Sequence, residues 1–165
     1  MTIEHRTTRE VTQPRDVVHS RLLELASLIR DEMPAMPPGN PVGRVLGIRG
    51  PIALNIHDRG PSRIDLETLQ GRIRFHGSAI LETRFDGGTD MTIEMSLRPG
   101  GISGRLLLGV GRRVLPGYES VFLPEMEQTV TRLAAALSVA DADWSAKDVM
   151  SDQSGATTPR GYTPA

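Results

Sequence analysis

Apolar residues recur at every second position in several short stretches of this chain, with polar residues between them. The clearest stretch is GTDMTIEMSLR at 88–98, where Met91, Ile93, Met95 and Leu97 alternate with polar residues. The turn DGG at 86–88 precedes it, which is typical of a hairpin. Alternation therefore predicts an antiparallel sheet with one apolar face. The other predicted strands are 2–12, 51–57, 62–69 and 71–85, with a weaker candidate at 44–49.

Apolar residues three or four positions apart predict helices elsewhere. One helix runs from Pro14 to about Arg30, and a long amphipathic helix occupies 118–139. Because proline is disfavoured inside helices, we expect the regular part of the second helix to begin at Pro124. The segment at 102–115 predicts a helix weakened by its glycines.

A run of strands followed by a helix predicts the α+β class. We interpret residues 1–140 as one domain, in which the curved antiparallel sheet wraps around the long C-terminal helix. Residues 141–165 are rich in Ser, Asp, Thr, Gly and Pro and are predicted to form a polar, disordered tail. The proline-rich loop at 33–43 could cover a cavity as a lid or be an ordinary solvent loop.

Composition excludes several classes of function. The chain has no Cys, so disulfides, thiolate metal sites and Cys nucleophiles are absent within it. Its net charge of −1 argues against a nucleic-acid partner. The polar N-terminus is not a signal peptide, and no apolar run is long enough to span a bilayer, so we predict a soluble cytoplasmic protein. The four histidines have no metal-ligand spacing, and we predict neither a metal nor a cofactor.

The order of several motifs resembles the helix-grip fold of the SRPBCC (START/Bet v 1-like) superfamily. The similarity is to the polyketide cyclase/dehydrase-like members and to the members that are like a small protein of the carbon monoxide dehydrogenase system. This resemblance implies a cavity between sheet and last helix that holds a hydrophobic small molecule, such as a lipid-, polyketide- or quinone-like compound. The motifs are TQPRDVV (12–18), GPIALNI (50–56), GRIRFHGSAILE (71–82), DGGTDMTIEMSL (86–97) and GISGRLLLGVGRRVL (101–115).

The inner face is short of bulky side chains, which is consistent with a cavity. Gly77, Ala79 and Thr83 are predicted to face inward and add little volume. Met91 and Met95 would give an adaptable wall. The aromatic residues predicted to fill the interior are Phe75, Phe85, Tyr118 and Phe122. The predicted ligand-contacting residues are Leu66, Phe75, Leu81, Met91, Ile93, Met95, Tyr118, Phe122, Met126 and Val130.

Catalysis is not favoured, because no acid/base pair is predicted on the inner face. A polyketide cyclase/dehydratase-type enzyme remains an alternative if His76, or Glu82 beside Arg84, points inward. A second alternative is an assembly or maturation partner of a larger enzyme, and a protein partner or homodimer is compatible with the sequence. The residues assigned to the solvated outer face are Arg72, Arg74, Glu82, Arg84, Asp90 and Glu94.

The segment at 102–115 ends in a region that contains Arg112-Arg113, and it includes a run of leucines. We expect it to pack beside the mouth of the sheet. Contact with an anionic membrane surface is the alternative.

Overall fold

A computed structural model of the chain describes residues 3–32, 53–68, 71–114 and 118–155. The predicted strand at 44–49, the loop at 33–43 and the end of the tail at 156–165 lie outside these ranges. The elements in chain order are β1 (Ile3–Val11), α1 (Arg15–Glu32), β2 (Leu54–Asp58), β3 (Arg63–Thr68), β4 (Ile73–Thr83), β5 (Thr89–Pro99), α2 (Gly101–Val114), α3 (Tyr118–Leu137), a 3-10 turn (Asp141–Asp143) and α4 (Ala146–Gly155).

The five strands form one antiparallel sheet in the order β1-β5-β4-β3-β2. The β4–β5 hairpin turns at Gly87, whose φ of 87° favours glycine, and Asp86 Oδ1 accepts a hydrogen bond from Gly88 N at 3.0 Å. The predicted hairpin and its two strands are confirmed. In the resulting register Met91 lies between Arg9 and Leu81.

Helices α1, α3 and α4 build the layer that packs on one face of the sheet. Helix α1 packs against β2, β3 and β4, while α3 packs along β1. Val18 of α1, Leu81 of β4, Met91 of β5 and Leu137 of α3 are all at most 1% exposed and belong to one core. Each such side chain contributes about 1.5–3 kcal/mol through burial. The predicted α+β class with a helix-grip arrangement is confirmed.

Helix α3 begins earlier than predicted. It starts at Tyr118 and continues through Pro124, so the prediction that regular helix begins at the proline is wrong. The φ of proline is compatible with a helix, and the ring removes only one backbone donor. A helix of 20 residues can therefore include it.

The predicted tail is ordered over its first half, so the prediction of disorder is wrong for residues 141–155. Ala146 is 2% exposed within the core, and Trp144 Nε1 donates to Glu24 Oε2 at 2.8 Å. The buried Arg21 lies 4.8 Å from the Trp144 ring centroid. Composition averages over the few apolar residues of this segment, and those residues anchor it to α1.

Arg21 also satisfies the carbonyl groups at the end of α3. Its Nη1 donates to Leu137 O at 2.9 Å and to Val139 O at 2.7 Å, and its Nη2 donates to Asp141 Oδ1 at 2.7 Å. The last carbonyls of a helix have no partner within it, so a buried guanidinium here stabilises the helix end. This cluster joins α1, α3 and the segment leading to α4.

Phe85 lies outside the interior, contrary to the prediction. The strand β4 ends at Thr83, and the alternation stops there because the chain enters the turn. Phe85 is 101% exposed, and Thr83 is exposed as well. The inner face is therefore even poorer in aromatic side chains than the alternation predicts.

Candidate functional site

An apolar cavity of about 190 Å³ lies between α1, the sheet, α3 and α4. Helix α1 provides one wall, because apolar residues spaced at three and four positions share one face. They are Leu22, Leu25, Ala26 and Ile29. Helix α3 contributes Thr129 and Leu133, and α4 contributes Val149 and Met150.

The sheet provides the opposite wall through two cross-strand rows. In one row Met95, Gly77 and Leu66 are neighbours, and in the next Ile93, Ala79 and Ile64 are neighbours. All six line the cavity. The two β4 residues at the centre of these rows are the small ones, so space remains where larger side chains would meet α1.

The ring of Phe75 covers part of this wall. A Cβ atom added at Gly77 would lie 3.0 Å from Phe75 Cζ, which is closer than side chains normally approach. Glycine at this position therefore lets the Phe75 ring lie along the sheet at the edge of the cavity. The two residues act together to shape the wall.

The structure brings four of the ten predicted contact residues to the cavity: Leu66, Phe75, Ile93 and Met95. Leu81, Met91 and Val130 are buried in the adjacent core, and Met126 is half-buried. These last four residues are not among the described lining residues. The side chains of Tyr118 and Phe122 lie outside the described part. A ligand-binding role for all ten stays a prediction.

Sequence reasoning missed the wall contributed by α1 and α4. The spacing of the α1 stripe predicts burial, but nothing in it separates a core stripe from a cavity wall. Val149-Met150 is an apolar pair in an otherwise polar segment, and this pair is the signal that could have identified α4.

The described lining carries no ionisable side chain: none of its residues is Asp, Glu, His, Lys or Arg. Its polar residues are Ser78 and Thr129. The hydroxyl of Ser78 donates to Asp65 Oδ1 at 2.7 Å. The wall is thus almost wholly hydrocarbon, as is usual for sites that hold apolar molecules.

A polar cluster lies beside the cavity, between β1 and α3. Glu127 of α3 accepts a hydrogen bond from Thr7 Oγ1 at 2.9 Å and another from Arg9 Nη2. His5 Nε2 lies 3.0 Å from Glu127 Oε1 and is buried, although its direction is not that of a hydrogen bond. In the register His5 lies opposite Met95, which lines the cavity.

These contacts explain the electrostatics of Glu127. The hydrogen bond from Thr7 is the main factor that lowers the pKa of the Glu127 carboxyl. Partial desolvation opposes this shift, and Arg9 and His5 add to it. The helical pattern places Glu127 off the apolar stripe, and it gives no sign that this residue lies over the inward side chains of β1.

The outer face of the sheet is polar and largely paired, as predicted. Arg84 Nη1 lies 2.6 Å from Glu10 Oε2, and Arg6 Nη1 lies 3.3 Å from Glu94 Oε1. Burial alone would raise the pKa of Asp65, but hydrogen bonds from Ser78 and Arg63 outweigh it and leave that pKa below its ordinary value. These pairs account for the charged residues without a catalytic role.

His57 and His76 also lie on this outer side, in register with Asp65 and Glu67 respectively. Within the four described ranges, no group of three or more His, Asp or Glu side chains could hold a metal ion. In the same ranges no helix is both long and apolar enough to cross a membrane.

Comparison with known proteins finds similarity at the level of structure. No family model matches the chain, and no curated protein matches it. Solved structures that resemble it include a START superfamily protein from Mycobacterium smegmatis, at 10% identity and a TM-score of 0.40 over 76% of this chain and 97% of that one.

An aromatase/cyclase, Zhui from Streptomyces sp. R1128, is 14% identical with a TM-score of 0.43, over 88% of this chain and 100% of that one. A norcoclaurine synthase mutant from Thalictrum is 7% identical with a TM-score of 0.47, over 82% of this chain and 95% of that one. These neighbours belong to the group of folds that the sequence motifs resemble. At such scores they carry no information on what this chain binds.

Proposed function

We propose that this protein binds a hydrophobic small molecule in the cavity between α1, the sheet, α3 and α4. The observation that carries the proposal is the lining, which is almost wholly aliphatic and aromatic in its described part. Transfer of an apolar molecule from water to such a wall is favourable by about 25 cal/mol per Å² of buried apolar surface.

The cavity volume limits the size of the ligand. An engineered apolar cavity of roughly 150 Å³ accepts benzene, whereas drug-sized ligands occupy about 300–1,000 Å³. The volume of about 190 Å³ therefore suits a one- or two-ring compound or a short acyl chain. Met95 and Met150 have flexible side chains whose repacking would enlarge the space for a longer lipid- or polyketide-like ligand.

Binding without catalysis fits this wall better than a cyclase or dehydratase reaction does. General acid/base catalysis needs a titratable group within hydrogen-bonding reach of the substrate. The described lining offers hydroxyl groups but no such group. His5 is the histidine beside the wall, and its ring nitrogen faces Glu127.

A titration with naphthalene tests the proposal. We expect it to shift the methyl NMR signals of Met95 and Met150 while leaving distant methyl signals unchanged. The substitution Ala26→Leu adds volume inside the cavity and should weaken binding at least about tenfold, since the lost contact is worth on the order of 1–2 kcal/mol. Ala135→Leu, at an exposed position on α3, is the matched control.

Absence of any shift at Met95 and Met150, or equal binding by the Ala26→Leu variant, would contradict the proposal. Native mass spectrometry of the protein purified without organic additives then addresses the natural ligand. A bound hydrophobic molecule that is present in the wild type and depleted in Ala26→Leu is the expected result.

A further inference from the structure

Helix α2 exposes two large aliphatic side chains. Ile102 is 79% exposed and Leu106 is 66% exposed. They are four residues apart and so lie on one face of the helix, with the exposed Arg105 next to them. Adjacent exposed aliphatic residues rimmed by charge are typical of an interaction surface.

The close packing of α2 on the sheet fixes where this surface lies. A Cβ atom on Gly104 would be 2.0 Å from the carbonyl oxygen of Arg72, so only glycine allows the helix to approach the start of β4 this closely. The helix also follows directly after Pro99, the last residue of β5. Ile102 and Leu106 therefore lie at the end of the β4–β5 hairpin opposite its turn.

The same end of the molecule is rich in arginine. Arg74 and Arg98 are directly opposite each other in the β4–β5 register, where two like charges repel. The sequence has no acidic residue from 95 to 118, although the whole chain has a net charge of −1. Arg112 and Arg113 belong to α2 as well. Charge is thus separated along the chain, and the positive excess falls in the same segment as the exposed aliphatic pair.

We propose that α2 and the adjoining end of the β4–β5 hairpin dock on the surface of an anionic lipid membrane. The charge favours lipid phosphate groups, each nearby Arg being worth about 1 kcal/mol at such a surface. Ile102 and Leu106 favour a partner with an apolar layer beneath its charge, which a nucleic acid lacks. This surface is separate from the cavity, and its role does not depend on the identity of the cavity ligand.

Flotation of the full chain with vesicles tests the proposal. We expect binding to vesicles of phosphatidylcholine with phosphatidylglycerol, weaker binding to phosphatidylcholine alone, and loss of binding at high salt as the charges are screened. The double substitution Ile102→Ser with Leu106→Ser should reduce binding at least about tenfold through lost apolar burial. Arg105→Glu should reduce it through charge while leaving the aliphatic pair in place.

Phe85→Ser is the matched control, since Phe85 is also fully exposed but lies at the turn. A strand of 11 residues separates the two ends of the hairpin, which is roughly 35 Å. The control should bind vesicles as the wild type does. Circular dichroism melting curves confirm that each variant is folded.

Equal loss of vesicle binding in the Phe85→Ser variant, or no binding of the wild type to anionic vesicles, would overturn the proposal. So would salt-sensitive binding to a fluorescent oligonucleotide, without vesicle binding, that is unchanged by the serine substitutions. That result would assign the arginines to a nucleic acid.

Discussion

The inner face of the sheet has two halves that hold their helices by different forces. Under α1 the sheet presents aliphatic side chains around Gly77 and Ala79, and a cavity remains. Under α3 the edge strand β1 presents His5, Thr7 and Arg9, and Glu127 fills the space between strand and helix. Hydrogen bonds need short, directed contacts, whereas apolar packing does not. The polar half is therefore filled, and the apolar half is the one that can admit a guest.

Removal of a core side chain should give the largest effect. Leu81 is 1% exposed and surrounded by packed residues, so Leu81→Ala should lower the free energy of unfolding by about 2–5 kcal/mol. Leu66 is half-buried at the cavity wall, and Leu66→Ala should cost only about 1–2 kcal/mol. Urea denaturation measures both values. Equal losses would mean that the cavity is as tightly packed as the core.

Loss of the polar cluster should have a smaller effect. Glu127→Ala removes the acceptor of Thr7 and Arg9 and should lower the free energy of unfolding by about 1 kcal/mol, since the carboxylate is partly exposed to water. Gln128→Ala, at an exposed neighbouring position, serves as the control and should leave urea denaturation nearly unchanged. If both variants behave alike, the cluster does not hold α3 on β1.

The same cluster predicts a dependence on pH. The pKa of Glu127 is lowered in the folded state, chiefly by the hydrogen bond from Thr7. Its contribution is therefore complete above the unfolded-state pKa of about 4.3 and is lost as the pH falls through the lower folded-state value. Between about pH 5 and pH 3, the wild type should lose stability more steeply than Glu127→Gln.

Urea denaturation at successive pH values measures this difference. The pKa of Asp65 is also lowered, but Asp65 is present in both proteins and cancels in the comparison. Parallel curves for the two proteins over this range would contradict the assignment to Glu127.

The smallest effect is expected at the turn. Phe85→Ser should change the free energy of unfolding by less than about 0.5 kcal/mol, because the side chain is fully exposed. A thermal melt checks this. A large loss of stability would place Phe85 in an interior, as its alternation with Phe75 predicts.

Periodicity predicted the strands and helices well because each has one buried face. The strand at Thr89–Pro99 and the helix at Tyr118–Leu137 have strong patterns, and both were found. The pattern failed at Phe85, since alternation cannot show where a strand stops and a turn begins. It also failed at Pro124, where a general helix preference was overridden by the context of the long helix.

The candidate site was less predictable for a different reason. Leu66 and Leu81 have the same residue type and both lie on the inner face, yet only the first borders the cavity. The difference depends on α1 and α4, which are distant in sequence. His5, Thr7 and Arg9 also face inward although they are polar, so polarity alone assigned β1 poorly.

The pairing of the first strand with the last strand of the sheet has a consequence for folding kinetics. Strands β2 to β5 pair with their neighbours in sequence, while Ile3 pairs with Leu97 across most of the domain. Closing so long a loop costs more chain entropy and slows folding relative to local hairpins. The sheet wall of the cavity can therefore assemble early, and docking of β1, with the contacts of His5 to Glu127, is expected to set the rate at which the native state forms.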